Sequence, residues 1–244
     1  MKKIDYVLCT IFALIALASR LPLIEKFQSH WDGPDYSIAV VRFSFEQHTP
    51  TPPGYPLYIA LGKFFHIFSQ DPHRAILLVS VFGSIIGVIA FYIFGKRIYN
   101  RSVGIAASII FLTCSTFYYF SLTPYGFEIL IGPIIGLAYF VYRIFVLKKQ
   151  HGIYFGTISA IYFGIRPQET FLIGPLALLG FVFLNKKQKL ISVAVFTVIT
   201  LLWLIPLIQT TGGVNSYINF NLAALKTDVF SYTFQHNLEL VIKG

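Results

Sequence analysis

Residues 50–70, PTPPGYPLYIALGKFFHIFSQ, decide how this chain meets a membrane. Pro50, Pro52, Pro53 and Pro56, with Gly54 among them, stand directly before an apolar run from Leu57 to Phe68 that carries Lys63 and His66. That run falls well short of the roughly 20 residues a helix needs to cross a hydrocarbon core, so it reads as a helix lying in the interface. The prolines then have a physical role. Pro50, Pro52 and Pro53 hold an extended strap, and Pro56 occupies a first helical turn, where its missing N–H is not needed. Gly54 lets the strap approach another group closely. Just upstream, YSIAVVRFSFE (36–46) puts Ile38, Val41 and Phe45 on one face and Arg42 and Glu46 toward another, predicting a second short surface helix before the strap.

The surrounding sequence makes lipid the relevant solvent. Its 244 residues are 56% hydrophobic and 12% charged, where ordinary globular domains carry charge on about a quarter of residues. The apolar runs are too long for buried strands, and none alternates every second residue as an outer-membrane barrel would. The predicted fold class is all-α, a polytopic transmembrane helix bundle with amphipathic juxtamembrane helices in a first external loop, residues 25–73. Spans are expected at 6–23, 74–94, 103–120, 127–146, 152–165, 168–184 and 190–208. The first follows Met1-Lys2-Lys3 but is long and lacks a small-residue cleavage site, so it reads as a retained helix. Residues 1–208 form the transmembrane domain, and residues 209–244 read as a mixed external segment, the start of a further region. Cys9 and Cys114 both fall within spans, which argues against a disulfide and leaves the redox compartment open.

The formal charge of +9 raises the question of nucleic acid, yet the basic residues sit in short loops between spans. Lys2 and Lys3, Lys96, Arg97 and Arg101, Lys148 and Lys149, and Lys186, Lys187 and Lys189 share one side if the spans alternate, which places the amino terminus in the cytoplasm. Only Asp5 among the acids then lies inside. Glu25, Asp32, Asp35, Glu46, Asp71, Glu128, Glu169, Asp228 and Glu239 lie outside or at outer helix ends. Longer outer loops collect polar residues in any protein, and an extracytoplasmic active site would also gather them.

Three places could carry chemistry. In HWDGPD (30–35), Asp32 stands between Trp31 and a Gly-Pro turn, immediately before a surface helix. A carboxylate set against lipid and an aromatic ring is poorly solvated, which suits a general base acting on a hydroxyl. Asp35 or Asp32 would equally serve as an N-cap for a helix beginning near Tyr36. Glu128, in TPYGFEIL, opens a span; an acid is comfortable at a helix amino terminus, and an ionisable group in a span is also a functional candidate, here with Arg20 or Arg166 as partner. Arg166-Pro167-Gln168-Glu169 joins two short spans, and its guanidinium could fork onto a lipid phosphate or simply snorkel to the interface. His30, Asp32, Asp35 and His48 form no recognised metal spacing, so no metal or other cofactor is expected. No Walker loop, dinucleotide fingerprint, HExxH or nucleophile elbow is present.

Arg20-Leu21-Pro22 ending the first helix, Trp31-Asp32 in the outer loop, a surface helix, and then TPPGYPLY (51–58) together resemble the amino-terminal part of GT-C integral-membrane glycosyltransferases, in particular the prokaryotic relatives of protein O-mannosyltransferases and lipid A aminoarabinose transferases. The resemblance covers about residues 15–185. It implies transfer of a sugar from a polyprenyl-phosphate donor to a lipid, glycan or protein hydroxyl at the outer face of a prokaryotic plasma membrane. It implies Asp32 as catalytic base, with Asp35 as a possible second acid, and Glu128 as an acid at the outer end of a helix. Arg166, Tyr55 and Arg20 would bind the donor and its phosphate. Relatives are usually much longer, so the chain resembles an amino-terminal portion. Two other readings stand beside this one: a lipid-linked sugar flippase, which would place ionisable groups at mid-membrane, and a non-catalytic membrane fragment, for which Asp32 would be dispensable.

Overall fold

A computed structural model describes residues 2–26 and 32–226. Among these the chain is helical throughout, with a single isolated bridge between Ser44 and Thr49. The helices in chain order are α1 (Lys3–Arg20), α2 (Gly33–Val41), α3 (Pro56–Ser69), α4 (Pro72–Ile98), α5 (Arg101–Thr113), α6 (Ser115–Phe120), α7 (Glu128–Phe145), α8 (Gly152–Ile165), α9 (Thr170–Val182), α10 (Lys186–Thr210) and α11 (Val214–Leu225). Four stretches are long and apolar enough to cross a membrane: Lys3–Leu23, Pro72–Ile98, Glu128–Phe145 and Lys186–Thr210. Arg101–Thr113, Gly152–Ile165 and Pro167–Val182 are shorter apolar helices. Each of the seven predicted apolar runs is therefore helical, although 103–120 is divided at Cys114, whose extended backbone separates α5 from α6.

α4 is the hub. It packs against α1, α2, α3, α5 and α7, while α8 pairs chiefly with α10 and also meets α7 and α3. Of its most apolar stretch 56% is buried, against 22% for α1 and α10, whose outer faces are left for lipid. With lipid as apolar as the helices, close backbone approach has to replace the hydrophobic effect as the source of cohesion, and small residues supply it. A Cβ on Gly83 of α4 would stand 2.5 Å from the Ile129 amide nitrogen of α7, and one on Gly156 of α8 would stand 2.4 Å from the Ser192 carbonyl of α10.

One end of the bundle is basic. The buried Asp5 carboxylate forms ion pairs with Lys96 and Arg101 and accepts from Tyr92 Oη at 2.8 Å, so the start of α1 and the α4–α5 turn meet there. At the opposite end Arg20 donates to the Leu112 carbonyl at 3.2 Å, Ser80 to that of Thr123 at 2.7 Å and Tyr58 to that of Pro124 at 2.9 Å. The predicted alternation of spans is consistent with this arrangement.

The loop between α1 and α4 follows the expected plan with two corrections. Pro56 does open α3, with Tyr55 preceding it in the left-handed region at φ 48°. α3 turns Phe64, Ile67 and Phe68 outward, the apolar face an interfacial helix requires. However, α2 begins at Gly33 rather than near Tyr36 and ends at Val41 rather than Glu46. Phe45 is drawn out of the helix into a buried contact with Trp203 and Leu207 of α10, and the Ser44–Thr49 bridge supplies the backbone hydrogen bonds the shortened helix forgoes. The second correction concerns the strap, which is turned rather than extended, the Gly54 N–H donating to the Thr51 carbonyl at 3.1 Å. Beyond the loop, α10 runs on to Thr210, and α11 follows, its Tyr217 stacking on Phe45 at 6.0 Å. Residues 227–244, with Asp228 and Glu239, lie outside the described residues.

Candidate active site

Every candidate side chain sits at the end of the bundle opposite the Asp5 cluster. Asp32 occupies the N-cap position of α2, but its side chain makes no capping hydrogen bond. Asp35 is in the first turn, not the cap, so the capping role expected for it falls away. Burial, with the Asp32 charge behind it, pushes the Asp35 carboxyl above the usual carboxylate range, and His48 pulls it the other way. Among the described residues no three His, Cys, Asp or Glu side chains gather as a metal site requires; His30 and Trp31 lie outside those residues.

Asp32 lines a groove of about 640 Å³ with Thr51 and Pro53 of the strap, Tyr55, the Pro167-Gln168 turn, Phe171, and Asn221 of α11. The strap makes one wall and the break between α8 and α9 another. Tyr55 is nearly buried, its ring edge-on to Tyr36 at 5.1 Å, and its hydroxyl accepts from Gln168 Nε2 at 2.8 Å. Arg166 stands behind that wall. Its guanidinium is enclosed between the Phe127 ring at 4.2 Å and the Tyr55 ring at 5.2 Å. Nη1 donates to the Tyr125 carbonyl, Nη2 lies 3.5 Å from Glu169 Oε1, and Nε is buried without a partner. The structure thus brings Asp32, Tyr55 and the Arg166 turn together around one cleft.

Glu128 and Arg20 are placed otherwise. Both are 1% exposed, and neither lines the groove. Glu128 immediately follows Phe127, so it is one residue from the Arg166 clasp, and both its carboxylate oxygens are buried without a hydrogen bond. Arg20 is the cation whose field reaches it. The Arg20 guanidinium lies over the Tyr118 ring at 4.8 Å, with Nη1 donating to Ser19 Oγ at 2.9 Å. Of the two partners considered for Glu128, Arg166 is instead paired with Glu169.

Sequence reasoning missed Gln168, Glu169 and Tyr125 as members of the site. The only signal for the first two was their place in the helix break; the contribution of Tyr125 is a backbone carbonyl, which its side chain does not announce.

A model of the dolichyl-phosphate-mannose-protein mannosyltransferases matches residues 50–210. The chain belongs to that family. It is accordingly an integral-membrane glycosyltransferase of the GT-C type, as the resemblance implied. The matched region contains Tyr55, Glu128, Arg166 and Gln168 and begins after Arg20, Asp32 and Asp35. No curated protein matches the chain, and no solved structure does.

Proposed function

We propose that this mannosyltransferase-like protein transfers a sugar from a polyprenyl-phosphate donor to an acceptor hydroxyl on the extracytoplasmic face, with Asp32 as general base. The observation that carries the reading is the single groove shared by Asp32, Tyr55 and the Pro167-Gln168 turn, in a chain of this family. Asp32 removes the proton of the acceptor hydroxyl as its oxygen attacks the anomeric carbon. The bond from that carbon to the phosphate oxygen breaks, its electron pair leaves with the polyprenyl phosphate, and attack from the opposite side inverts the anomeric configuration. No nucleotide or metal takes part in this scheme. The acceptor is a lipid, glycan or protein hydroxyl.

Arg166 stands behind Tyr55, outside the groove lining, and supports the donor phosphate from there through its charge, its buried Nε–H being the one donor left without a partner; Tyr55 orients the phosphate. Glu128 and Arg20 act at one remove: neither lines the groove, and Arg20 ties the end of α1 to α5 through the Leu112 carbonyl. The direction of the faces follows from the basic clusters at the Asp5 end, which the positive-inside rule assigns to the cytoplasm.

The test is transfer of radiolabelled sugar from a polyprenyl-phosphate donor in membranes containing this chain, compared with Asp32→Asn. Removing a general base costs about 10²- to 10⁴-fold, so the variant is expected to insert normally and lose turnover by at least that lower factor. Undiminished transfer would remove Asp32 from the mechanism.

A further inference from the structure

Gln168 shares the groove with Asp32, yet the scheme above gives its side chain nothing to do. Its amide is held from behind: Nε2 donates to the Tyr55 hydroxyl at 2.8 Å, and Tyr55 is itself fixed by its packing on Tyr36 and beneath Arg166. The other end of the same amide, Oε1, is buried with no hydrogen-bond partner. Leaving a buried acceptor unpaired costs about 1–3 kcal/mol, a cost that a ligand hydroxyl would remove.

The chemistry of the remaining wall agrees. Around Asp32 the polar lining consists of Thr51, Tyr55, Gln168 and Asn221, all neutral, with Phe171 as an exposed aromatic surface. Asp32 is the one charged lining residue among the described residues. Arg166 stands behind Tyr55, its charge already opposed by Glu169. An anionic sugar would meet the Asp32 carboxylate with no cation among the described lining residues to offset it. A cationic sugar would pair with that carboxylate and engage the group the reaction needs as a base.

We infer that Gln168 is a specificity-determining residue, accepting through Oε1 a hydrogen bond from one hydroxyl of an uncharged transferred sugar. This rests on the proposed transfer reaction and adds to it the residue that reads the sugar. A site built to hydrogen-bond a hydroxyl rejects the analogue that lacks it, because its own polar atom is then left unpaired.

The experiment compares polyprenyl-phosphate donors carrying a neutral hexose, each of its monodeoxy analogues, and the corresponding uronic acid, with wild type, Gln168→Ala and Gln168→Glu. In the wild type one deoxy donor is expected to lose about 10- to 100-fold in kcat/KM, and the uronic acid donor to be transferred poorly. Gln168→Ala loses a similar factor on the parent donor and nothing further on that one deoxy donor. Gln168→Glu keeps an acceptor oxygen but adds a second anion beside Asp32, so it retains the preference for the hydroxylated sugar at lower turnover, and elution of both variants from detergent as for wild type reports on folding independently. Equal losses on all donors in Gln168→Ala would overturn the inference and leave Gln168 as a support for Tyr55. A flat deoxy profile with transfer still dependent on Asp32 would overturn it while sparing the proposed reaction. Transfer from none of the donors would overturn both.

Discussion

Arg166 illustrates how far the role of one side chain depends on residues remote in sequence. As a cation before a proline it reads either as a phosphate ligand or as an interfacial anchor. Folded, it is neither loose nor snorkelling: two aromatic rings, a backbone carbonyl and Glu169 enclose it, and Nε alone lacks a partner. If it also supports the donor phosphate, Arg166→Ala should raise KM for the donor by about tenfold or more, the effect of losing one charge-assisted hydrogen bond of roughly 1.5–3 kcal/mol, with KM for the acceptor little changed. Steady-state kinetics with each substrate varied in turn will separate the two. An unchanged donor KM would reduce Arg166 to a clasp joining the α8–α9 break to the Phe127 turn. Asp32, Glu128 and Arg166 were legible as candidates because carboxylates, guanidinium groups and proline breaks are rare in a membrane chain, whereas Tyr55, one of 15 tyrosines, was implied only by the family resemblance. Their division between groove and interior was not legible, because it depends on which way the α7 start and the 166–169 turn face.

At the scale of elements, the readings that succeeded rest on local rules. Proline at the first turn announced α3, and uninterrupted apolar stretches announced the long helices. The readings that failed concern the ends of α2, where local preference yielded to a distant contact: Phe45 packs under Trp203 and Leu207, some 160 residues along the chain, and residues 42–46 leave the helix to reach them. Glycines behave in the same way. Gly156 and Gly174 look alike in sequence, each within an apolar helix, but a methyl group on Gly156 would strike the Ser192 carbonyl whereas Gly174 has nothing within 4 Å. Gly156→Ala is therefore expected to destabilise the protein by about 1–3 kcal/mol through overpacking, because the obstructing atom is backbone and cannot turn aside. Gly174→Ala should be neutral or stabilising by up to about 1 kcal/mol. Unfolding in mixed detergent micelles measures both, and equal effects would show that the α8–α10 approach is not a tight contact.

For the molecule as a whole, charge distribution and hydropathy led to a bundle with one basic end, and the ion pairs of Asp5 with Lys96 and Arg101 join two of the predicted basic clusters there. The same topology requires α3 to lie on the outer face. Lys63→Cys, on the exposed side of α3, should react with a membrane-impermeant maleimide added to intact cells, and reaction only after the inner face is opened would overturn the orientation. Membrane residence, the all-helical class, the apolar helices and the proline that opens α3 could be derived from the amino-acid order, because the backbone must satisfy its own hydrogen bonds in lipid and proline cannot take part in them. The groove could not. It is formed by α2, the strap, the α8–α9 break and α11, which lie far apart along the chain and converge through the Tyr36, Tyr55 and Tyr58 cluster and the Phe45 contact. Such convergence is set by the packing of surfaces against one another, a property of the assembled helices that no single stretch of sequence carries.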